Sequence, residues 1–257
     1  MNTPPFLSVV IPAHNEEGGI RHTCEAIMAG FAKAGIDDYE ILVVNDHSRD
    51  GTEAVLQALV AEQPRVHYVN NPGRGGFGWA IRCGLNEFHG ECVAIVMGDL
   101  SDSPEDIVTY YRELKNGAEC VFGSRFMRGS RVLDYPPHKL VLNRIANRFI
   151  KVLFRLDHND ITNAFKAYRR EVIQGVQPLL SSHFNLAVEL PLKSIVRGYQ
   201  YVKVPISWTN RTTGTSKLRI KEMSGRYLFI VLYCWLEKKL ARGDYYRPLP
   251  PTPRPRR

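Results

Sequence analysis

Cysteine is scarce in this sequence and shows no pairing pattern. Five cysteines (Cys24, Cys83, Cys92, Cys120 and Cys234) occur among 257 residues, with no CxxC and one left over. That spacing argues against a disulfide scaffold and predicts a reduced, cytoplasmic protein. The N-terminus lacks the charged n-region and apolar h-region of a signal peptide, so export is not expected. Acids are outnumbered: 26 Asp and Glu face 34 Lys and Arg, a formal net charge of +8. The imbalance predicts an anionic partner, whether nucleic acid, a phosphorylated substrate or an acidic membrane surface. Nucleic acid finds no support beyond charge, because helix-turn-helix, zinc-finger spacing and a stacked-aromatic platform are all missing.

What is present is an ordinary globular composition, 44% hydrophobic and 23% charged, in a chain long enough for one large core. Strand-like and helix-like segments alternate through the first half. "FLSVVIPAHNE" is a short strand ended by Pro12, with a helix from about Glu17 to Ala34. "YEILVVNDHSRDGT" repeats the pattern, with Ile41 to Val44 as strand and a helix running through Ala61. "VHYVNN", "CVAIVMGD" and "CVFGSRF" are further strands; helices over "GFGWAIRCGLNEF" and Pro104 to Lys115 follow the first two. Continuous apolar strands separated by helices predict an α/β fold, a mainly parallel sheet with helices on both faces. Such sheets bind ligands at the carboxyl ends of their strands, where strand order reverses. The turns "PAHNE", "NDHSRDGT" and "GDLSD" all fall at that edge, a nucleotide-binding layout.

Two stretches need separate weighing. "GRGGFG" (Gly73, Gly75, Gly78) matches the dinucleotide fingerprint, but that fingerprint belongs after the first strand. The alternative is a basic turn and helix start able to face a diphosphate. After the fourth strand, Asp99, Asp102, Glu105 and Asp106 crowd around Pro104. Like charges this close call for a divalent cation or for a helix start, whose dipole favours acids. Glu105 and Asp106 are read as the helix start.

Seven segments occur in a telling order: "VVIPAHNEE", "ILVVNDHSRDGT", "GRGGFGWAIRCGL", "VMGDLSDSPED", "FGSRF", "TNAFKAYRREV" and "PISWTNRTTGTSKL". Together they resemble family 2 glycosyltransferases, in particular the dolichol-phosphate mannosyltransferases and bacterial polyprenyl-phosphate glycosyltransferases. The resemblance runs from about Leu7 to Leu218. It implies a GT-A fold, a nucleotide-sugar donor with GDP-mannose favoured, a Mg2+ or Mn2+ ion, and a polyprenyl phosphate acceptor. Residues 1–218 would form the glycosyltransferase domain, 219–243 a C-terminal apolar and basic helix, and 244–257 a Pro- and Arg-rich disordered tail.

By that resemblance Pro12, His14, Glu16, Val44, Asp46 and Gly98 belong to the donor site. Glu16 would accept from ribose hydroxyls or else cap the next helix. Asp46 would accept from the base, and Asn45 stands where the family usually has another aspartate. The family's Asp-x-Asp is Met97-Gly98-Asp99 here, so its first acid is missing. Asp99 is the expected metal ligand, with Ser101 or Asp102 completing the shell. One carboxylate can suffice, since Mg2+ commonly uses one or two together with waters and phosphate oxygens. Arg125 matches a family arginine that faces phosphate, which its fork would grip bidentately. It joins Asp99 as the pair expected to carry catalysis. Lys139 and Asn143 fall where acceptor-phosphate contacts are found. Arg211, Ser216 and Lys217 match an R-x-x-G-x-S-K loop that would close over donor and acceptor phosphates. Arg144, Arg148 and Arg170 are read as solvated surface charges. Glu189 would be suspected only for a hydroxyl acceptor, because its segment already has the leucine spacing of a core helix.

The implied acceptor needs no general base: a phosphate monoester has a second pKa of about 6 and is largely dianionic at neutral pH. Its oxygen would attack the anomeric carbon in line as the nucleoside diphosphate leaves, inverting the centre. Two other classes share the layout. A nucleotidyltransferase acting on a sugar phosphate would show a basic glycine-rich loop after the first strand, where this chain has the acidic "PAHNEEGG". A non-catalytic nucleotide-binding module is the other. Near the C-terminus, the apolar stretch Tyr227 to Leu236 would span about 15 Å as a helix, half of a hydrocarbon core of about 30 Å. Too short to cross, it suits an anionic interface by its aromatics and flanking cations; a core or dimer-packing helix is the other reading. The expectation is a peripheral, monotopic protein on the cytoplasmic face of a membrane. A homo-oligomer or an integral-membrane partner is left open.

Overall fold

The computed structural model describes residues 4–210 and 220–247. The solid apolar runs become its central strands. β1 (Leu7–Ala13) and β2 (Tyr39–Asn45) are buried along almost their whole length, as strands must be when helices cover both faces. α1 (Ile20–Lys33) joins them, α2 (Thr52–Glu62) leads to β3 (Val66–Asn70), and α3 (Phe77–Glu87) leads to β4 (Cys92–Ile95). α4 (Pro104–Lys115), with the bounds expected for it, precedes β5 (Cys120–Ser124). α1 starts later than Glu17, because the Glu16 carbonyl first accepts from the Gly19 and Ile20 N–H groups in a tight turn.

The second half departs from simple alternation. β6 (Arg131–Leu133) and α5 (Pro137–Phe154) lead to β7 (Lys166–Arg169), which inserts antiparallel between β4 and β5. α6 (Arg170–Gly175) and α7 (Leu186–Val196) lead to β8 (Tyr201–Pro205), parallel to β5. β9 (Ser207–Thr209) pairs with β6 in a small ribbon, and α8 (Ile220–Leu240) follows. The main sheet runs β3-β2-β1-β4-β7-β5-β8 and is parallel except at β7.

Two apolar layers sandwich this sheet, one built with α1, α2 and α4 and the other with α3, α6 and α7. A third cluster lies outside them. There Ile230, Val231 and Cys234 of α8 pack with Ile150 and Phe154 of α5 and with Val188 and Leu192 of α7. The stretch Tyr227 to Leu236 is therefore half a core element. Trp235 packs partly against the third cluster, whereas Phe229 is 61% exposed.

His158 sits on the β5 side of the sheet, its ring 5.7 Å from that of Phe122, and neither ring nitrogen has a partner. Burial, reinforced by the Lys166 ammonium and opposed by Asp160, pushes its pKa down to about 4. A depressed histidine contributes stability above its unfolded pKa of about 6.5, and that contribution fades as pH falls toward the folded value. Going from about pH 7.5 to about pH 5 should therefore cost about 2 kcal/mol through this residue. In His158→Phe that share of the loss should vanish, read by urea unfolding at the two pH values. An unchanged pH dependence would show that the ring is protonated and solvated in the fold.

Candidate active site

β2 lies on one side of β1 and β4 on the other, so strand order reverses between β1 and β4, and their carboxyl ends frame a crevice. The wall after β1 and β2 is tied together by its own turns. The Asn15 N–H donates to Ser48 Oγ at 3.0 Å, and the Glu16 N–H donates to Thr52 Oγ1 at 2.9 Å. Asn15 and His47 take left-handed backbone, at φ 56° and 57°. His14 Nδ1 donates to the Asp46 carbonyl at 2.6 Å. The Asp46 carboxylate accepts from Asn71 Nδ2 at 2.8 Å and from the Gly76 N–H at 2.7 Å. It thereby fixes the glycine-rich turn. That turn has a packing reason of its own: a Cβ on Gly78 would lie 2.4 Å from the Ser182 backbone. With Asp46 already at the start of α3, the turn faces a carboxylate of this chain. Val44 points its side chain into the core, so only its main chain is available to a donor.

Across the crevice the Gly98 carbonyl accepts from Thr23 Oγ1 at 2.8 Å. Leu100 is left-handed at φ 53°, and Asp99 Oδ1 accepts from the Ser101 N–H at 3.1 Å. β9 pins this loop: the Thr209 N–H donates to the Ser101 carbonyl at 3.0 Å, and Asp102 bridges to Trp208. The turn brings the carboxyls of Asp99 and Asp102 close enough to interact. Burial first, and then the Asp99 charge, push the pKa of Asp102 up to about 7. Asp102 is 3% exposed, and its Oδ2 has no hydrogen-bond partner. A buried carboxylate oxygen without a donor is costly, and a hard divalent ion is the complement it lacks.

The donor set therefore fits Mg2+ or Mn2+. No group of three or more Asp, Glu, His or Cys suited to a metal exists among the described residues; waters and phosphate oxygens would fill the shell. The other acids of the run belong to the start of α4. Glu105 accepts from Ser103 Oγ at 2.6 Å, and Asp106 accepts from the Ser207 N–H at 2.6 Å.

Arg125, at the end of β5, meets a protein carboxylate. Its Nε and Nη2 donate to Asp160 at 2.8 and 2.7 Å, and its main-chain N–H donates to the same group at 2.9 Å. Burial opposes both charges, yet the pairing prevails: Asp160 stays below the usual carboxylate range and the guanidinium stays protonated. The rings of Phe126 and Tyr135 flank the guanidinium at 5.4 and 5.6 Å, and Arg125 also acts electrostatically on Asp102. Asp160 was not anticipated. Its only trace in the sequence is the polar string "DHND" ahead of "TNAFKAY".

Asn143 is likewise engaged. Its Oδ1 accepts from Asn147 Nδ2 at 2.5 Å and from Thr162 Oγ1 at 3.1 Å, and its Nδ2 donates to Tyr135 Oη at 3.2 Å. Lys139 lies half-buried in the first turn of α5. Lys166 is buried and donates to the carbonyls of Ile161, Asn163 and Ala187. It holds the loop that carries Asp160. Arg211, Ser216 and Lys217 lie outside the described residues.

Two other charged residues differ from expectation or resolve it. Arg170 donates to the carbonyls of Phe88 and Gly90 at 2.8 and 2.7 Å, so it braces a loop where a solvated charge was expected. Glu189 is fully buried, paired with Lys193 at 2.7 Å, and accepts from the Leu180 and Ser181 N–H groups. It is committed to the loop before α7.

Comparison with known proteins gives a consistent picture. The family model described as glycosyl transferase family 2 matches residues 8–176. A polyprenol monophosphomannose synthase of Mycolicibacterium smegmatis is 31% identical over 223 residues, covering 82% of this chain and 80% of that protein. A dolichol-phosphate mannosyltransferase of Pyrococcus furiosus is 30% identical over 218 residues, covering 84% of this chain but only 60% of the relative. Among solved structures, glucosyl-3-phosphoglycerate synthase from Mycobacterium tuberculosis was crystallised with Mn2+, uridine diphosphate and phosphoglyceric acid. It superposes with a TM-score of 0.65 at 20% identity, over 91% of this chain and 78% of its own. That likeness is one of fold.

Proposed function

Because this chain belongs to glycosyl transferase family 2, we propose that it moves mannose from a nucleotide-sugar donor, GDP-mannose first among the candidates, to a polyprenyl phosphate with inversion. The observation that carries the reading is the Asp99–Asp102 turn at the β1/β4 reversal, with its unpartnered buried oxygen within electrostatic reach of Arg125. The names of the relatives supply the sugar and the lipid.

Pro12, His14, Glu16, Val44 (through its main chain), Asp46 and Gly98 form the donor wall. Asp99 and Asp102 would hold Mg2+ or Mn2+, with Ser101 beside them. That ion would supply Lewis-acid neutralisation of the diphosphate as it departs. Arg125, kept charged by Asp160, adds a fixed positive field at the same end of the crevice. Lys139, Asn143, Arg211, Ser216 and Lys217 would receive the acceptor phosphate. No side chain is needed as general base, since the dianionic acceptor is already a nucleophile.

The protein would work peripherally at the cytoplasmic face of a membrane, where a polyprenyl phosphate presents its head. Among the described residues no helix is long and apolar enough to cross a bilayer. A panel of nucleotide sugars offered with a short polyprenyl phosphate tests the whole reading through the diphosphate released. GDP release with mannosyl phospholipid formation is expected; pyrophosphate release would point to a nucleotidyltransferase. In the same assay Arg211→Ala and Lys217→Ala should each raise the acceptor KM by about tenfold, a lost charge-assisted contact, with less effect on the donor KM. A shift in donor KM alone would move that loop to the other substrate.

A further inference from the structure

Lys166 opens β7, the antiparallel strand of the main sheet, and lies in register with Ile95 of β4 on one side and Phe122 of β5 on the other. Ile95 ends β4, shortly before Asp99, so Lys166 sits at the binding edge of the sheet, behind the crevice. It is 1% exposed, where a lysine is rare unless paired. Its Nζ donates to the carbonyls of Ile161 at 2.9 Å, of Ala187 at 3.3 Å and of Asn163. Carbonyls only accept, so three such bonds use all three protons of an ammonium, and a neutral amine would leave one of them unmade. The geometry holds the side chain as a cation, although burial pulls its pKa down to about 7.

The charges around Lys166 do not balance. Asp160 gives both its oxygens to the Arg125 fork, at 2.8 and 2.7 Å, and so offsets much of the Arg125 charge. The Lys166 bonds all end on carbonyls and none on a carboxylate. Asp160 and Asp102 favour its charge from a distance and Arg125 opposes it; Lys166 in turn acts on His158. Asp102 is the proposed metal ligand, and the ion would meet its charge. Two buried cations, Arg125 and Lys166, thus share one buried carboxylate, and a surplus positive charge lies behind the crevice. An unmatched buried charge is costly to a fold, and charges so arranged cluster at functional sites.

We propose that Lys166 supplies the net positive charge that the Arg125–Asp160 pair lacks, acting from within the sheet on the substrate phosphates without touching them. It is a positioning residue in two ways. Its bonds tie the loop that carries Asp160 to the first turn of α7, and its charge keeps the Arg125–Asp160–Lys166 trio positive. The inference rests on the proposed nucleotide-sugar donor for its ligand; what it requires chemically is an anionic phosphate in the crevice.

Nucleotide and nucleoside pairs test this on the full chain with Mn2+, because guanosine and uridine differ from GDP and UDP only in lacking the phosphates. Lys166→Met should bind the preferred nucleotide about tenfold more weakly, the scale of one buried charge acting on another, while the matching nucleoside binds as it does to the parent. Turnover should fall by a larger factor than the donor KM rises, since charge gathers on the diphosphate only as it leaves. Lys166→Gln keeps two donors without the charge; it should melt closer to the parent and show the same loss. A loss shared equally by nucleotide and nucleoside would assign Lys166 to the scaffold and overturn the inference. So would a nucleotide affinity unchanged in the folded variants. Wild-type protein that binds neither nucleotide would remove the donor reading and this inference with it. Wild-type binding without any transfer, with the loss still confined to the nucleotide, would leave Lys166 in its role and remove only the proposed reaction.

Discussion

Asp102→Asn should abolish transfer while leaving the metal-free protein at least as stable as the parent. In the fold Asp102 is buried, one of its oxygens has no partner, and Asp99 repels it. An amide keeps an oxygen for the Met97 N–H that Asp102 accepts from and removes a charge whose burial is unfavourable. The metal-free variant should therefore gain about 1–2 kcal/mol. Activity should move the other way, because a neutral amide holds Mg2+ or Mn2+ poorly. The loss in kcat/KM should be about a thousandfold, equivalent to roughly 4 kcal/mol of transition-state stabilisation.

Asp99→Asn should match that loss in rate, since both acids border one space. Ser101→Ala should cost less than about tenfold, as a hydroxyl is a weak partner for a hard ion. Melting curves with and without Mn2+ supply the second readout: the ion should raise the melting temperature of the parent and not of either Asn variant. Near-normal turnover in Asp99→Asn, or an Asp102→Asn protein that still responds to Mn2+, would remove the pair from the metal site.

The parts legible in the sequence are those where one local rule dominated. α4 could be bounded because Pro104 opens it and acids fill its first turn. β1 to β5 were visible as apolar runs, and the binding edge followed from their order. β7 was not visible: its four residues begin with Lys166, which looks polar until the loop carbonyls that satisfy it are seen. The glycine-rich turn is a different case. Its composition marked a basic turn and helix start able to face a diphosphate, and the Asp46 carboxylate that fixes it comes from another strand end. Pairings between distant segments have no sequence period to betray them. For the same reason Asp160, which lies 35 residues from the arginine it pairs with, was missed.

Arg125 poses the sharpest choice, because its fork is already filled by Asp160 within the protein. Removing either partner strands a buried charge, so Arg125→Met and Asp160→Asn should each destabilise the fold by about 3–5 kcal/mol. Combining them removes both halves of the pair, and the double variant should recover much of that stability, as coupled neighbours do, less what buried Lys166 loses with the Asp160 charge. Activity decides what the pair is for. If the ion pair only braces the end of β5, turnover should return along with stability in the double variant. If the guanidinium also faces the departing diphosphate, the double variant should refold yet remain at least about a hundredfold slow, because a fixed charge acting on developing charge is worth about 3 kcal/mol. The second outcome is expected: although Asp160 holds its fork, Arg125 still acts electrostatically on Asp102, so part of its field reaches the place where the leaving group would gather charge. Urea unfolding and kcat/KM measured on the same four proteins give the cycle, and recovery of both quantities together would assign Arg125 to the scaffold.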